Sequence, residues 1–344
     1  MADMSKKDFD LITLGEIMLR LSPPSNGRIQ RSDIFEKHAG GAELNVASGV
    51  SLLGLRTGII SKLPASDLGT YIKNRIRFCS VSDDFIVWHE APEARLGIYY
   101  YENGAYPRKP SVVYDRKNSS FNTITMDEIP ESVFSSTKMF HTSGITLALS
   151  KQTRDIAIEL IKRFKAAGTI ISFDVNYRAS LWSEQEACQA IKQVLPYVDI
   201  FFVSEETSRR MFGKTGNLRE IHKSFCKEYP NIELIATTER LVVSPKNHSF
   251  TSTIYSAEKD MSYTEPPYKD IDVVDRIGSG DAYCAGVLFG ILKYNDPEKA
   301  LQYGNATCAT KNTIPGDLPI SDYKEITRII ETHHALGPVS EMNR

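Results

Sequence analysis

The stretch Asp275-Arg276-Ile277-Gly278-Ser279-Gly280-Asp281-Ala282-Tyr283-Cys284-Ala285-Gly286 follows an apolar, strand-like Val273-Val274 and opens an apolar segment that reads as a helix to about Lys293. Two glycines at a helix entrance let backbone N–H groups turn toward an anion, where the helix dipole also favours negative charge. An aspartate in such a place, taken alone, is more often a helix cap than a reactive group. Phosphoryl transfer to an alcohol, however, needs a base for the hydroxyl proton and donors for the charge on the transferring group. Asp281 beside the amides of Gly278, Ser279 and Gly280 could supply both. The P-loop pattern G-x-x-x-x-G-K-[ST] and the protein-kinase motifs are absent from the sequence, so a nucleotide site would be of another kind.

Outward from this stretch, short apolar runs alternate with amphipathic ones. Leu11 to Gly15 reads as a buried strand, Asn45 to Leu55 as a helix and Thr57 to Ser61 as the next strand. Ile156, Leu160 and Phe164 share one helical face, Gly168 stops that helix, and Ile170 to Phe173 begins a strand. Ser183 to Glu186 is a capping-box signature, Ile200 to Val203 a further strand, and Ser204 a cap for the helix after it. Such alternation requires crossover connections, hence an α/β fold with a largely parallel sheet and helices on both faces. Phe85 to Phe121 breaks the rhythm with five tyrosines and no helical period, and reads as a small β excursion that could serve as a lid. From Ser279 on, the chain reads as mainly helical.

A second motif is Gly40-Gly41-Ala42-Glu43-Leu44-Asn45. Paired glycines permit close backbone approach to a ligand, and Asn45 offers a donor and an acceptor to hydroxyls. Taken alone, a glycine turn entering a helix would be the favoured reading. The 344 residues are 41% hydrophobic and 24% charged, an ordinary globular composition. With 41 basic and 43 acidic residues the formal charge is −2, which gives no electrostatic case for nucleic acid or an anionic membrane. Five scattered cysteines without a C-x-x-C pair argue against a disulfide framework or a zinc site. Met1 to Asp10 is polar, with no apolar signal segment, and no apolar run approaches a membrane span; a cytoplasmic protein is the expectation. His141, alone at a strand end, reads as structural.

Together these segments resemble the ribokinase-like (PfkB) family of carbohydrate kinases, from Leu11 to about Ile330. The glycine pair with Asn45 matches its N-terminal sugar motif, and Asp275 to Gly286 its C-terminal signature. The resemblance implies a single kinase domain over residues 1–344, with a β lid built from roughly 16–38 and 85–121. It implies Asp281 as base, an anion hole from Gly278, Ser279 and Gly280, ATP with Mg²⁺ as cosubstrate, and room for K⁺ as an activator. No protein metal site is expected, and a homo-oligomer is. Gly40 to Glu43, Val113 to Arg116, Phe140 to Thr146 and Ser172 to Arg178 are most similar to the branch acting on 2-keto-3-deoxygluconate. A sugar acid needs a cation for its carboxylate, and the planar fork of arginine suits it, so Arg116 and Arg178 are the candidates. Gly41, Asn45, Tyr99, Tyr114 and Asp317 are the further substrate contacts that the resemblance implies.

The chain departs from the family at the nucleotide side. Ser204-Glu205-Glu206 replaces an Asn-Glu pattern, Ala236 to Arg240 lacks both glycines of a Thr-x-Gly-x-x-Gly turn, and Arg276 replaces a small hydroxyl residue. Ser204, Thr238, Arg240, Asn305 and Asn312 are the expected ATP-side residues. A neutral-sugar kinase and a non-catalytic sugar-binding regulator on the same fold are the alternatives. A dinucleotide-dependent oxidoreductase is weaker, because no strand–G-x-G-x-x-G–helix opens the chain.

Overall fold

Leu11, Ile12 and Leu14 are wholly buried because strand β1 (Phe9–Leu14) runs through the middle of a parallel sheet, where both faces are covered. The computed structural model describes residues 7–244 and 246–335; the first six residues of the polar N-terminal stretch lie outside that range. The following strands are β2 (Met18–Ser22), β3 (Glu36–Gly40), β4 (Thr57–Pro64), β5 (Ile86–His89), β6 (Gly97–Glu102) and β7 (Ser111–Asp115). Then come β8 (Thr137–Ser143), β9 (Ile170–Asp174), β10 (Ile200–Phe202), β11 (Leu234–Ser244), β12 (Asn247–Ser256), β13 (Met261–Thr264) and β14 (Tyr268–Asp272).

Ten of them form one sheet in the order β13-β12-β11-β10-β9-β8-β1-β4-β5, with β14 also paired to β12. Pairing is parallel from β5 to β11 and antiparallel beyond it. Successive side chains of a strand point to opposite faces, and two cores result. Phe201 joins Phe140, Phe173 and the helices Lys151–Ala166 and Glu184–Val194 on one face. Its neighbours Ile200 and Phe202 join Val46, Val50, Ala285 and Leu288, from the helices Ala42–Leu52 and Ser279–Tyr294, on the other. The helix Ser279–Tyr294 is apolar nearly all round because it lies between that sheet face and the helix Pro297–Asn312.

The remaining four strands form a second sheet, β3-β2-β6-β7. Three sequence expectations need correction. The strand β5 lies inside the 85–121 stretch but belongs to the main sheet, paired with β4 rather than with the small sheet. The first helix begins at Ala42 and ends at Leu52, before Gly54 turns the chain out at φ +102°. Val273 and Val274 lie just past the end of β14 rather than in a strand. The 11-residue β11 was not anticipated either. With no glycine to bend it, the Thr-Thr-Glu-Arg-Leu-Val-Val run continues as a strand, as its β-branched residues favour, and pairs along its length with β12.

Candidate active site

The carboxyl ends of β8, β9 and β10 open on a cleft, as expected for a parallel sheet. It has two lobes, of about 530 Å³ and about 460 Å³, both bordered by Asp174, Asn176 and Gly280. The larger lobe is roofed by the small sheet through Met18, Tyr99, Val112, Tyr114 and Arg116.

Asp281 lies in the first turn of its helix, behind Gly278, whose φ of +81° only glycine adopts without strain and whose missing Cβ would meet the Asp317 carbonyl. Its carboxylate accepts hydrogen bonds from Asn45 Nδ2 at 2.7 Å and Asn176 Nδ2 at 3.5 Å. Asn45 is 2% exposed and its Oδ1 has no partner among the described residues, which leaves one acceptor for a ligand hydroxyl. Asn176 holds a positive φ of 35°, a strained conformation of the kind that clusters at functional sites. Burial pushes the Asp281 carboxyl up to about 6, and the Asn45 bond and the Arg178 charge oppose that rise. Asp174, raised to about 7 by burial and by the charge of Asp281, shares the lobe. Burial raises both carboxyls, and on Asp281 the hydrogen bonds from Asn45 and Asn176 favour the ionised form, which suits a base.

Cations surround this acidic pair. Arg178, exposed beyond the end of β9, donates only to the Asn176 and Tyr177 carbonyls and forms no ion pair among the described residues. Arg240 extends from β11 to donate to Ser279 Oγ at 3.0 Å, and Arg276 borders the same lobe. Arg116 differs: it is paired with the buried carboxylate of Glu16 through Nε and Nη2. Its guanidinium stands 5.6 Å from the Tyr114 ring centre, and Tyr114 packs on Tyr99 at 5.8 Å between centroids. Tyr99 and Asp317 also reach the lobe, but the tyrosine hydroxyl donates to Asp317 Oδ2 and Arg20 occupies Asp317 Oδ1. Both carboxylate oxygens of Asp317 are thus engaged within the protein. Gly41 lies at the mouth of the first helix, where a Cβ would meet the Glu16 carbonyl.

Glu43, beside the glycine pair, is a structural tie. Its Oε1 accepts from Ser143 N, Ser143 Oγ and Thr146 Oγ1, joining the first helix to the end of β8. His141 bonds to Ser172 Oγ at 2.8 Å, and burial lowers it to about 3, so it stays neutral.

The second lobe contains Ser204 and Thr238, with Glu206, Arg210 and Tyr283. Asn305 and Asn312 do not reach either lobe. Asn305 is 0% exposed, accepting from Ser252 Oγ and donating to Glu265, while Asn312 Nδ2 bonds to the Cys308 carbonyl one turn back. Their placement on the late helix was foreseeable; that its polar face turns toward β12 was not. Asp174, Asn176 and Arg276 also line the cleft and were not among the residues expected there. The signal for the first two was present, since a polar Asp-x-Asn immediately after an apolar parallel strand sits where such sheets bind ligands.

The model of the pfkB family carbohydrate kinases matches residues 8–317. A 2-dehydro-3-deoxygalactonokinase of Haloferax volcanii is 34% identical over 93% of this chain and 96% of its own. A 2-dehydro-3-deoxygluconokinase of Bacillus subtilis is 29% identical over 90% and 91%. The crystal structure of 2-dehydro-3-deoxygluconokinase from Thermotoga maritima superposes with a TM-score of 0.88, at 31% identity over 94% of this chain and 99% of that one.

Proposed function

Since the chain belongs to the pfkB family of carbohydrate kinases, we propose that it transfers the γ-phosphoryl group of ATP to the 6-hydroxyl of 2-keto-3-deoxygluconate. The hydroxyl proton passes to the Asp281 carboxylate, the C6 oxygen bonds to phosphorus, the bond from phosphorus to the β–γ bridging oxygen breaks, and ADP leaves. The backbone amides of Gly278, Gly280 and Asp281, with Arg240 and Arg276 beside them, would hold the charge on the transferring group, while the Ser279 N–H donates to the Arg276 carbonyl.

The observation that carries the sugar-acid reading is Arg178. Its guanidinium has no acidic partner among the described residues, yet it borders the lobe that contains Asp281. An unpaired arginine there suits a carboxylate by bidentate hydrogen bonding, and a neutral sugar has no use for it. Tyr114, Gly41 and the free Oδ1 of Asn45 would meet hydroxyls or the apolar face of the same ligand. Arg116, already neutralised by Glu16, would orient rather than bind the carboxylate; Tyr99 and Asp317 would shape the wall.

ATP would lie with its phosphates at the junction of the lobes and extend past Ser204 and Thr238. Magnesium characteristically takes one or two carboxylates and completes its shell with substrate phosphates and water. Asp174, which borders both lobes, would be the carboxylate available for that role, and the ion would neutralise phosphate charge. The 2-keto-3-deoxygalactonate epimer is the second reading, favoured by the name of the Haloferax volcanii relative. A screen with ATP of 2-keto-3-deoxygluconate, 2-keto-3-deoxygalactonate, fructose and ribose tests both. Preference for either sugar acid supports the class, and the ratio between them decides the epimer. Equal or faster turnover of fructose or ribose overturns it.

A further inference from the structure

Next to the Gly278–Asp281 amides lies a cluster of four charged side chains, Arg20, Lys311, Asp275 and Asp317, each 3% exposed or less. Arg20 ties the two carboxylates, at 2.6 Å to Asp275 and 3.0 Å to Asp317. Asp275 also accepts the main-chain N–H groups of Ile277 and Gly316, both at 3.0 Å. It thereby joins the strand-to-helix loop to the turn after the helix Pro297–Asn312.

Lys311 stands apart from this ionic exchange. Its ammonium donates to two main-chain carbonyls, Asp275 O at 3.2 Å and Ile314 O at 3.0 Å, and it forms no ion pair among the described residues. Burial lowers its pKa, opposed by the nearby charges of Asp275 and Asp317. A buried point charge is costly unless polar groups converge on it. Main-chain carbonyls converging on one cation, from two loops, form the kind of donor set that coordinates a bare potassium ion. A potassium ion bracing this loop would have to share the carbonyls with Lys311 and lie close to Arg20, and like charges at that distance repel. The residues present do not fit the monovalent activator implied by the family resemblance.

We propose that the Lys311 ammonium permanently takes the place of a dissociable monovalent cation, bracing the anion-hole loop against the 311–316 turn, so that phosphoryl transfer needs no K⁺. Lys311 is a positioning residue: it touches neither lobe of the cleft but fixes the carbonyl of Asp275, three residues before Gly278. The inference rests on the phosphotransfer reading for its kinetic readout only, because the thermal readout needs no substrate.

The test compares wild type and Lys311→Ala in buffers whose sole monovalent cation is K⁺, NH₄⁺ or tetramethylammonium, the last being too large for a two-carbonyl nest. Wild-type kcat and melting temperature should be the same in all three. Lys311→Ala should lose roughly 10²-fold in kcat in tetramethylammonium, the scale of a small misplacement of catalytic groups, and K⁺ or NH₄⁺ should restore at least part of both kcat and melting temperature. Lys311→Met, which fills the space without charge, should show no rescue. Activation of wild type more than about twofold by K⁺, or a rise in its melting temperature with K⁺, overturns the proposal even if Lys311→Ala does not fold. A folded Lys311→Ala that no small cation rescues overturns it as well. Failure of wild type to phosphorylate any sugar acid would count against the function above, while the thermal comparison would still decide the role of Lys311.

Discussion

The two lobes of the cleft are built differently. The larger one is walled by local order: two glycine-led helix entrances, whose Asn45 and Asp281 are 236 residues apart, and an aspartate-bearing strand end. Asn45 and Asp281 meet there with complementary groups at 2.7 Å. The smaller lobe is bounded by β11, where a strand runs in place of a glycine turn, and by side chains such as Glu206 and Arg210 that also pair along their own helix. A chemical step needs fixed atoms, whereas a nucleotide can be held by different combinations of charge and surface. Steep losses are therefore expected from changes in the first lobe and graded ones in the second.

The largest effect expected is from Asp281→Asn, which keeps the size and can still bond to Asn45. Loss of the base should lower kcat by roughly 10²–10⁴-fold, with sugar-acid binding by calorimetry retained. Wild-type turnover in that variant would remove Asp281 from the mechanism. Arg178→Ala should come next, lowering kcat/KM for the sugar acid by about 10–100-fold, as for a charge-assisted hydrogen bond lost. A loss of equal size for a neutral sugar would show that Arg178 does something other than bind a carboxylate.

How much of the molecule was legible in its sequence divides along the same line. The parallel sheet and its helices could be read from alternation, because buried parallel strands are apolar on both faces. That Asp281, Asn45, Gly41 and Arg178 border one cleft could be read because each stands near the end of such an element. The engagement of Asp317 by Arg20 and Tyr99 could not be, since it joins residues 297 and 218 positions apart through a buried cluster with no local pattern. The same holds for Arg116, whose partner Glu16 lies 100 residues away. The contacts of Asn305 with Ser252 and Glu265 were illegible for a related reason: helical position says which residues share a face, but not which wall that face meets.

The phosphate side should respond more gently. Arg240 borders the larger lobe beside Ser279, and Arg240→Ala is expected to raise KM for ATP about tenfold with little change in KM for sugar, the scale of one charge-assisted contact; an unchanged value would exclude Arg240 from the nucleotide site. Asn305→Ala should leave both KM values alone and instead destabilise the fold by about 1–3 kcal/mol, by stranding Ser252 and Glu265. A raised KM for ATP with unchanged stability would return Asn305 to the cleft.

The smallest expected effect is on pH dependence. As the base must be ionised, kcat/KM should rise with pH and level off above the Asp281 value of about 6. The Asn45 bond lowers that value, so Asn45→Ala should move the acid limb toward higher pH. A shift toward lower pH would mean that Asn45 favours the protonated form. Asp281 sits above its usual range in the folded protein. The folded state therefore binds its proton more tightly than the unfolded chain, and this group's contribution to stability declines as pH rises from about 4 toward 6.

The most direct measurement of the central claim is ³¹P NMR of wild type incubated with ATP, Mg²⁺ and 2-keto-3-deoxygluconate. The account predicts one phosphate monoester on C6 for each ADP formed, and no such signal with Asp281→Asn. Release of inorganic phosphate without an ester, or an ester formed equally well by Asp281→Asn, would contradict it.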